Sequence, residues 1–80
     1  MSILSEQIDG KIITVSIQSS NIKSASYETD SKTLTITFNN LNVYKYYDVP
    51  WEIFARFRIS ESQGKYFSKE INGKYKYSKV

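Results

Sequence analysis

The sequence predicts an α+β domain: an antiparallel meander of three to four strands, followed by two short helices packed on one face of the sheet. Three observations carry that expectation. Apolar and polar residues alternate with period two in segments between Ile12 and Val49. The breaks between those segments are short and rich in Ser, Asn and Asp, which suits tight turns and antiparallel neighbours. After Pro50 the apolar period becomes that of a helix.

Each element has its own reason. The first ten residues, MSILSEQIDG, are polar and mixed and are expected to fray. They lack the basic start and long apolar run of a signal peptide. From Ile12 to Gln18, Ile13, Val15 and Ile17 share one strand face, with Thr14 and Ser16 on the other. Ser19-Ser20-Asn21 breaks that run. Ile22 to Thr29 is a weaker strand with Ala25 and Tyr27 on one face, closed by the turn Asp30-Ser31-Lys32. Thr33 to Asn39 alternates most cleanly. Leu34, Ile36 and Phe38 point one way and Thr33, Thr35 and Thr37 the other, as in a sheet wet on one face. Asn39, Asn40 and Asn42 mark the next turn, since Asn tolerates a left-handed backbone. Val43 to Val49 is the following strand.

Pro50 suits the first turn of a helix, where a missing N–H leaves no bond unmade. Glu52 in that turn favours the dipole, and Ile53, Phe54 and Phe57 form an apolar stripe flanked by Arg56 and Arg58. The pattern restarts at Ser60, which with Gln63 three residues later reads as a capping box. Tyr66, Phe67 and Ile71 make the second stripe, Glu61 and Lys65 are spaced to pair, and Gly73 fits a left-handed helix end.

Eighty residues make one domain, 1–80, with a small core. Cysteine is absent, so neither a disulfide nor a thiolate is available, and a reducing cytoplasm is expected. No apolar run approaches the ~20 residues that span a bilayer. Net charge is +3, and it is uneven. Residues 1–40 hold three lysines against four acids, and residues 41–80 hold eight basic residues against four. The basic tail, 76–80, suits an anionic partner or simple solubility. An excess of Asn, Lys, Ile, Ser and Tyr matches an AT-rich bacterial or phage genome.

Histidine is absent too, so the commonest general base and the usual transition-metal ligands are missing. No catalytic residues, no metal site and no cofactor are expected. Asp48 and Glu52 could form an acid–base pair, but a helix start explains them better. Gly64-Lys65 invites a phosphate-loop reading that fails. The position five before Gly64 is Ile59, and Tyr66 rather than Ser or Thr follows the lysine. What survives is a helix start where Ser62, Gly64 and Lys65 could hold one anion, or where Gly64 allows close packing. Seven tyrosines against four phenylalanines is a high ratio for a small core, because a buried phenol needs a partner. In NVYKYYDVPW (42–51), period two places Tyr44 and Tyr46 on one face and Lys45 and Tyr47 on the other. One face is expected to be core and the other open to a ligand.

The ordered segments SSNI (19–22), Tyr27, VYKYYDVP (43–50), SQGKYF (62–67) and INGKY (71–75) resemble the KTSC domain. That family occurs alone in bacterial and phage proteins and at the C-terminus of some lysyl-tRNA synthetases. Its hallmarks are a Tyr-x-Tyr, here Tyr44 and Tyr46, a following Val-Pro, and a Ser-x-Gly-basic-aromatic-Phe segment. Family members often carry glycine in the turn before Tyr-x-Tyr, where this chain has Asn39-Asn40-Leu41-Asn42. The synthetase context implies RNA binding.

Three functions fit. The first is a non-catalytic module that binds and sequesters a small nucleotide-type ligand, such as a phage protein acting on a host signalling nucleotide. Rings, drawn from Tyr44, Tyr46, Tyr47, Trp51 and Tyr66, would hold the base, and Lys65, Lys69, Arg56 or Arg58 the phosphates, with Lys45 also among the candidate ligand-binding residues. A homo-oligomer would enlarge the core and could place the ligand between subunits. The second is an RNA-binding accessory domain whose tyrosines stack unpaired bases. The third is a structural or protein-interaction domain.

Overall fold

The computed structural model describes residues 2–80. Six strands form one sheet in sequence order, each antiparallel to the next: β1 (Ser2–Asp9), β2 (Ile12–Gln18), β3 (Ile22–Glu28), β4 (Thr33–Phe38), β5 (Val43–Tyr46) and β6 (Tyr77–Lys79). Between β5 and β6 lie α1 (Trp51–Ile59) and α2 (Gln63–Tyr66), the latter running on into a π-helical turn, Phe67–Ile71. The α+β class and the meander are as the sequence predicts, but the strand count is six rather than three to four.

The two extra strands are the edges, and edges carry the weakest pattern. The segment expected to fray is β1, paired with β2 from Ser2↔Gln18 to Asp9↔Ile12. From Ser5 to Asp9 it is exposed on both faces, so no apolar alternation betrays it. The basic tail contains β6, three exposed residues paired with β5.

Register explains the core. One cross-strand row runs Ile8, Ile13, Tyr27, Leu34, Tyr46, Tyr77, and the next Glu6, Val15, Ala25, Ile36, Tyr44, Lys79. Both rows lie on the face that the helices cover. The centre of each row is buried, while Ile8 and Tyr77 at the edges stay exposed. Phe54 and Phe57 of α1 and Phe67 and Ile71 of the π-helical turn complete the core. Thr33, Thr35 and Thr37 lie on the opposite face. Tyr27 is fully buried, and its hydroxyl donates to the Val49 carbonyl at 2.6 Å, the partner a buried phenol requires. It also stacks on Phe54 at 4.9 Å.

Four local expectations change. The strand predicted to reach Val49 ends at Tyr46, because Asp48 turns to φ +56 and sends Val49 into the core, its N–H donating to the Lys32 carbonyl. Pro50 sits just before α1 rather than in its first turn. In the Asn-rich turn it is Leu41, not an asparagine, that adopts the left-handed conformation, φ +71. Ser60 and Gln63 do not form a capping box. Ser60 Oγ donates to the Phe57 carbonyl, and the Gln63 amide donates to the carbonyls of Phe57, Arg58 and Ser60. Both side chains therefore cap the end of α1, and Ser62 caps the start of α2 by accepting from Lys65 N–H at 3.3 Å. Gly73 takes the expected positive φ, +81.

Candidate functional site

The most chemically loaded surface lies where α2 meets the β2–β3 turn. Gly64 is buried there, and a Cβ on it would stand 2.7 Å from Asn21 Oδ1 and 3.3 Å from Ser19 Oγ. Only glycine lets the helix come this close. The turn is fixed in return. Ser19 Oγ donates to Asn21 Oδ1 at 3.1 Å, and Asn39 ties across by donating its side-chain amide to the Ser19 carbonyl and its backbone N–H to the Asn21 carbonyl. Around this joint a concavity of about 450 Å³ is lined by Ser20, Asn21, Ser62, Lys65, Ser68 and Lys69. Its chemistry is that of an anion site: two ammonium groups, three hydroxyls and an amide, with no carboxylate. The positive charge at this surface comes from the Lys65 and Lys69 side chains.

A second concavity opens beside Tyr-x-Tyr. It holds about 290 Å³ between Phe38, Tyr44, Tyr46, Phe67, Asn72 and Tyr77. Tyr46 is its buried floor, edge-on to Phe67 at 5.5 Å. Tyr44 is half-buried and Tyr77 exposed, their ring centroids 5.8 Å apart. Burial pushes the Tyr46 hydroxyl up to about 12, with Tyr44 and Tyr77 adding to the shift. Burial also raises Tyr66, helped by Glu70 and Tyr75 and opposed by Arg56. Both phenols therefore stay neutral near pH 7 and act as hydrogen-bonding rings.

The other predicted site residues separate. Lys45 is on the open sheet face, in a separate depression of about 320 Å³ with Ser26, Glu28 and Thr35. Tyr47 is exposed and shares a 2.7 Å hydrogen bond with Ser78 Oγ. Trp51 sits at the start of α1, where Arg58 lies 5.6 Å over its ring and 5.9 Å from that of Phe54. Arg58 also donates to Glu6 at 3.1 Å, which makes it a structural cation. Arg56 is exposed, and Tyr66 leans on Phe57 at a centroid distance of 6.2 Å. So Ser62, Gly64, Lys65 and Lys69 come together, Tyr44 and Tyr46 come together, and the rest do not join either group. The split of Tyr44 and Tyr46 from Lys45 and Tyr47 is observed, with Tyr46 in the core.

Sequence reasoning missed Ser20, Asn21 and Ser68 in the first concavity, and Phe38, Asn72 and Tyr77 in the second. The available signal was the Asn content of the breaks. Ser19-Ser20-Asn21 read as a mere turn, although it is the surface against which Gly64 packs. Among the described residues, no cluster of three or more acids, histidines or cysteines could hold a metal ion. No helix among them is long and apolar enough to cross a membrane.

With this geometry in view, comparison with known proteins is direct. The model of the KTSC domain matches residues 18–75. The chain belongs to the KTSC domain family. This KTSC domain is 38% identical over 63 residues to a lysine–tRNA ligase of Trichormus variabilis and to another of Nostoc punctiforme, a match covering 79% of the chain. The matched region is only 11% of the length of either ligase. Among solved structures, the crystal structure of a KTSC domain protein from Yersinia pestis superposes with a TM-score of 0.82 at 30% identity, covering 86% of this chain and 97% of that one. The matched region holds the Ser19–Asn21 turn, Tyr-x-Tyr and the Ser62–Phe67 segment, so both concavities fall within the family's domain apart from Tyr77.

Proposed function

We propose that this KTSC domain is a non-catalytic module that binds RNA through the concavity between α2 and the β2–β3 turn. The observation that carries this reading is the carboxylate-free lining, with Lys65 and Lys69 beside the hydroxyls of Ser20, Ser62 and Ser68. Such a set holds phosphate oxygens without reading sequence. The similarity to lysine–tRNA ligases, proteins whose substrate is an RNA, favours RNA over other polyanions. With neither His nor Cys in the chain, binding rather than turnover is the fitting role.

Fluorescence anisotropy with a labelled single-stranded RNA at low salt tests it. Binding should weaken steeply as salt rises, and Lys65→Ala with Lys69→Ala should lower affinity and flatten the salt slope by about 1.4. Absence of any RNA binding at low salt overturns the reading. A second reading, sequestration of a small nucleotide, is favoured by the 450 Å³ volume, which lies in the range of small-ligand sites. Stabilisation by mononucleotides or dinucleotides in a thermal-shift panel, without RNA binding, would select it.

A further inference from the structure

The two concavities are not isolated. A third, about 260 Å³, shares Ser20 and Asn21 with the anion site and Phe38 with the aromatic cleft, and adds Asn39 and Asn40 between them. A fourth shares Tyr77 with the aromatic cleft and adds Lys74, Tyr75 and Lys76. Each therefore shares lining residues with the next, and the four adjoin in a continuous run. The order along it is two lysines, an asparagine-rich middle, an aromatic cleft and two more lysines. Eight acids are spread over the chain, yet none lines any of these four concavities. The depression on the open sheet face, by contrast, includes Glu28 beside Lys45.

The middle and the rings are held in place. Asn39 donates to the Ser19 carbonyl and Asn40 Oδ1 accepts from Asn42 N–H, so both amides are set by the turn they belong to. Phe38 is braced edge-on by Tyr44 at 5.7 Å and by Phe67 at 5.4 Å. Tyr77 is 57% exposed and leans on Tyr44 and Tyr46, offering ring surface at the rim.

We propose that this run of concavities is a track for a single strand of RNA, with phosphates held at both lysine ends and a base stacked on the exposed Tyr77 ring between them. The proposal rests on the RNA reading above and assigns its course. A stacked ring flanked by basic groups is how sequence-tolerant single-strand sites work, because every base has a π-face. Asn39, Asn40 and Asn72 line the same stretch and can hydrogen-bond exposed base edges. Extents of 28 × 27 × 22 Å limit the strand to on the order of four nucleotides, the span of other small single-strand modules. A duplex cannot stack a base on the Tyr77 ring without unpairing it.

The test is anisotropy with labelled oligoadenylates of increasing length, beginning with AMP as a competitor, on the full chain. Affinity should rise with length to about four nucleotides and then level. Tyr77→Ala should weaken the longer strands at least about fivefold, whereas Tyr77→Phe, which keeps the ring, should bind like the parent. Lys74→Ala with Lys76→Ala should reduce the salt slope by about 1.4, as the Lys65 and Lys69 pair does. If only the Lys65 and Lys69 substitutions matter, the track is overturned and the RNA reading stands. AMP competing as well as the longest strand overturns the track in favour of a single-nucleotide site. Failure of every RNA to bind overturns both. Circular dichroism of Tyr77→Ala, an exposed edge-strand variant, separates lost binding from lost fold.

Discussion

The two helical segments hold equal charge in sequence and use it in opposite ways. α1 carries Arg56 and Arg58, and α2 with its π-helical continuation carries Lys65 and Lys69. Arg58 lies over Trp51 and Phe54 and reaches Glu6 on β1, so its charge fastens the helix to the sheet edge. Lys65 and Lys69 line a concavity with no carboxylate. α1 is apolar and dense, with Phe54 and Phe57 fully buried. α2 presents a buried glycine and a polar rim. The lesson is that the count of basic residues near a helix does not locate a site. What locates it is whether the neighbouring element brings acids and rings, or hydroxyls and amides.

The largest effect expected on the α1 side is that of Phe54→Ala. This ring stacks on Tyr27 at 4.9 Å, touches Trp51 and Phe57, and has no exposed surface. Its loss should lower stability by about 3–5 kcal/mol. That is a large part of what an 80-residue domain possesses. Urea unfolding measures it, and a loss well below that range would mean that α1 is not the principal packing helix.

On the α2 side the sharpest test is a sign. Alanine in place of glycine inside a helix ordinarily gains about 1 kcal/mol. Gly64→Ala should instead lose about 1–2 kcal/mol, because the new Cβ meets Asn21 Oδ1 at 2.7 Å. Asn21 is held by Ser19 and cannot swing away without breaking that bond. In an Asn21→Ala background the same substitution should be close to neutral. A double-mutant cycle of the four proteins checks this, and a gain in the single variant would break the claim that close packing explains the glycine.

How much of this was legible in the sequence follows from the same contrast. The central strands were legible because their two faces see different surroundings: Ile13, Val15 and Ile17 are buried while Thr14 and Ser16 are not. β6 and the Ser5–Asp9 part of β1 were not, because an edge segment solvated on both faces shows no period. The cap at Ser60 and Gln63 was misread because spacing alone cannot tell the end of one helix from the start of the next. Tyr44 and Tyr46 were placed correctly on one face, since period two fixes that. Their neighbours Phe38 and Tyr77 come from other strands, and only pairing brings them together. Asn21 was invisible as a site residue for the same reason: its contact with Gly64 spans 43 positions of sequence and depends on how helix and turn dock.

Beside the anion site, the turn after β4 keeps a backbone penalty at an apolar residue, where the turn before α1 places an aspartate. Leu41 holds φ +71 with its side chain 67% exposed, so it suffers the left-handed conformation without burying its apolar surface. Leu41→Gly should raise stability by about 1 kcal/mol, less the entropy glycine adds to the unfolded chain. RNA affinity should be unchanged if the neighbouring Asn39 and Asn40 keep their bonds to Ser19 and Asn42. A rise in melting temperature with altered affinity would show that the turn's shape, and not only its amides, belongs to the binding surface.

The smallest effects separate the two pairs of cations directly. Arg58→Ala should lower stability by about 1 kcal/mol, mostly through lost packing over Trp51 and Phe54, since a half-exposed pair with Glu6 contributes little alone. Part of that loss is offset, because the buried Arg58 Nε lacks a partner and its removal relieves an unsatisfied donor. Lys65→Ala and Lys69→Ala should each stay within about 0.5 kcal/mol of the parent, as exposed substitutions away from the core do. Thermal unfolding at low and high salt distinguishes the cases: the Arg58 deficit persists when charges are screened, because stacking and not charge dominates it. If the lysine variants were the destabilised ones, the α2 surface would be a fastening rather than a site, and the contrast between the two helices would collapse.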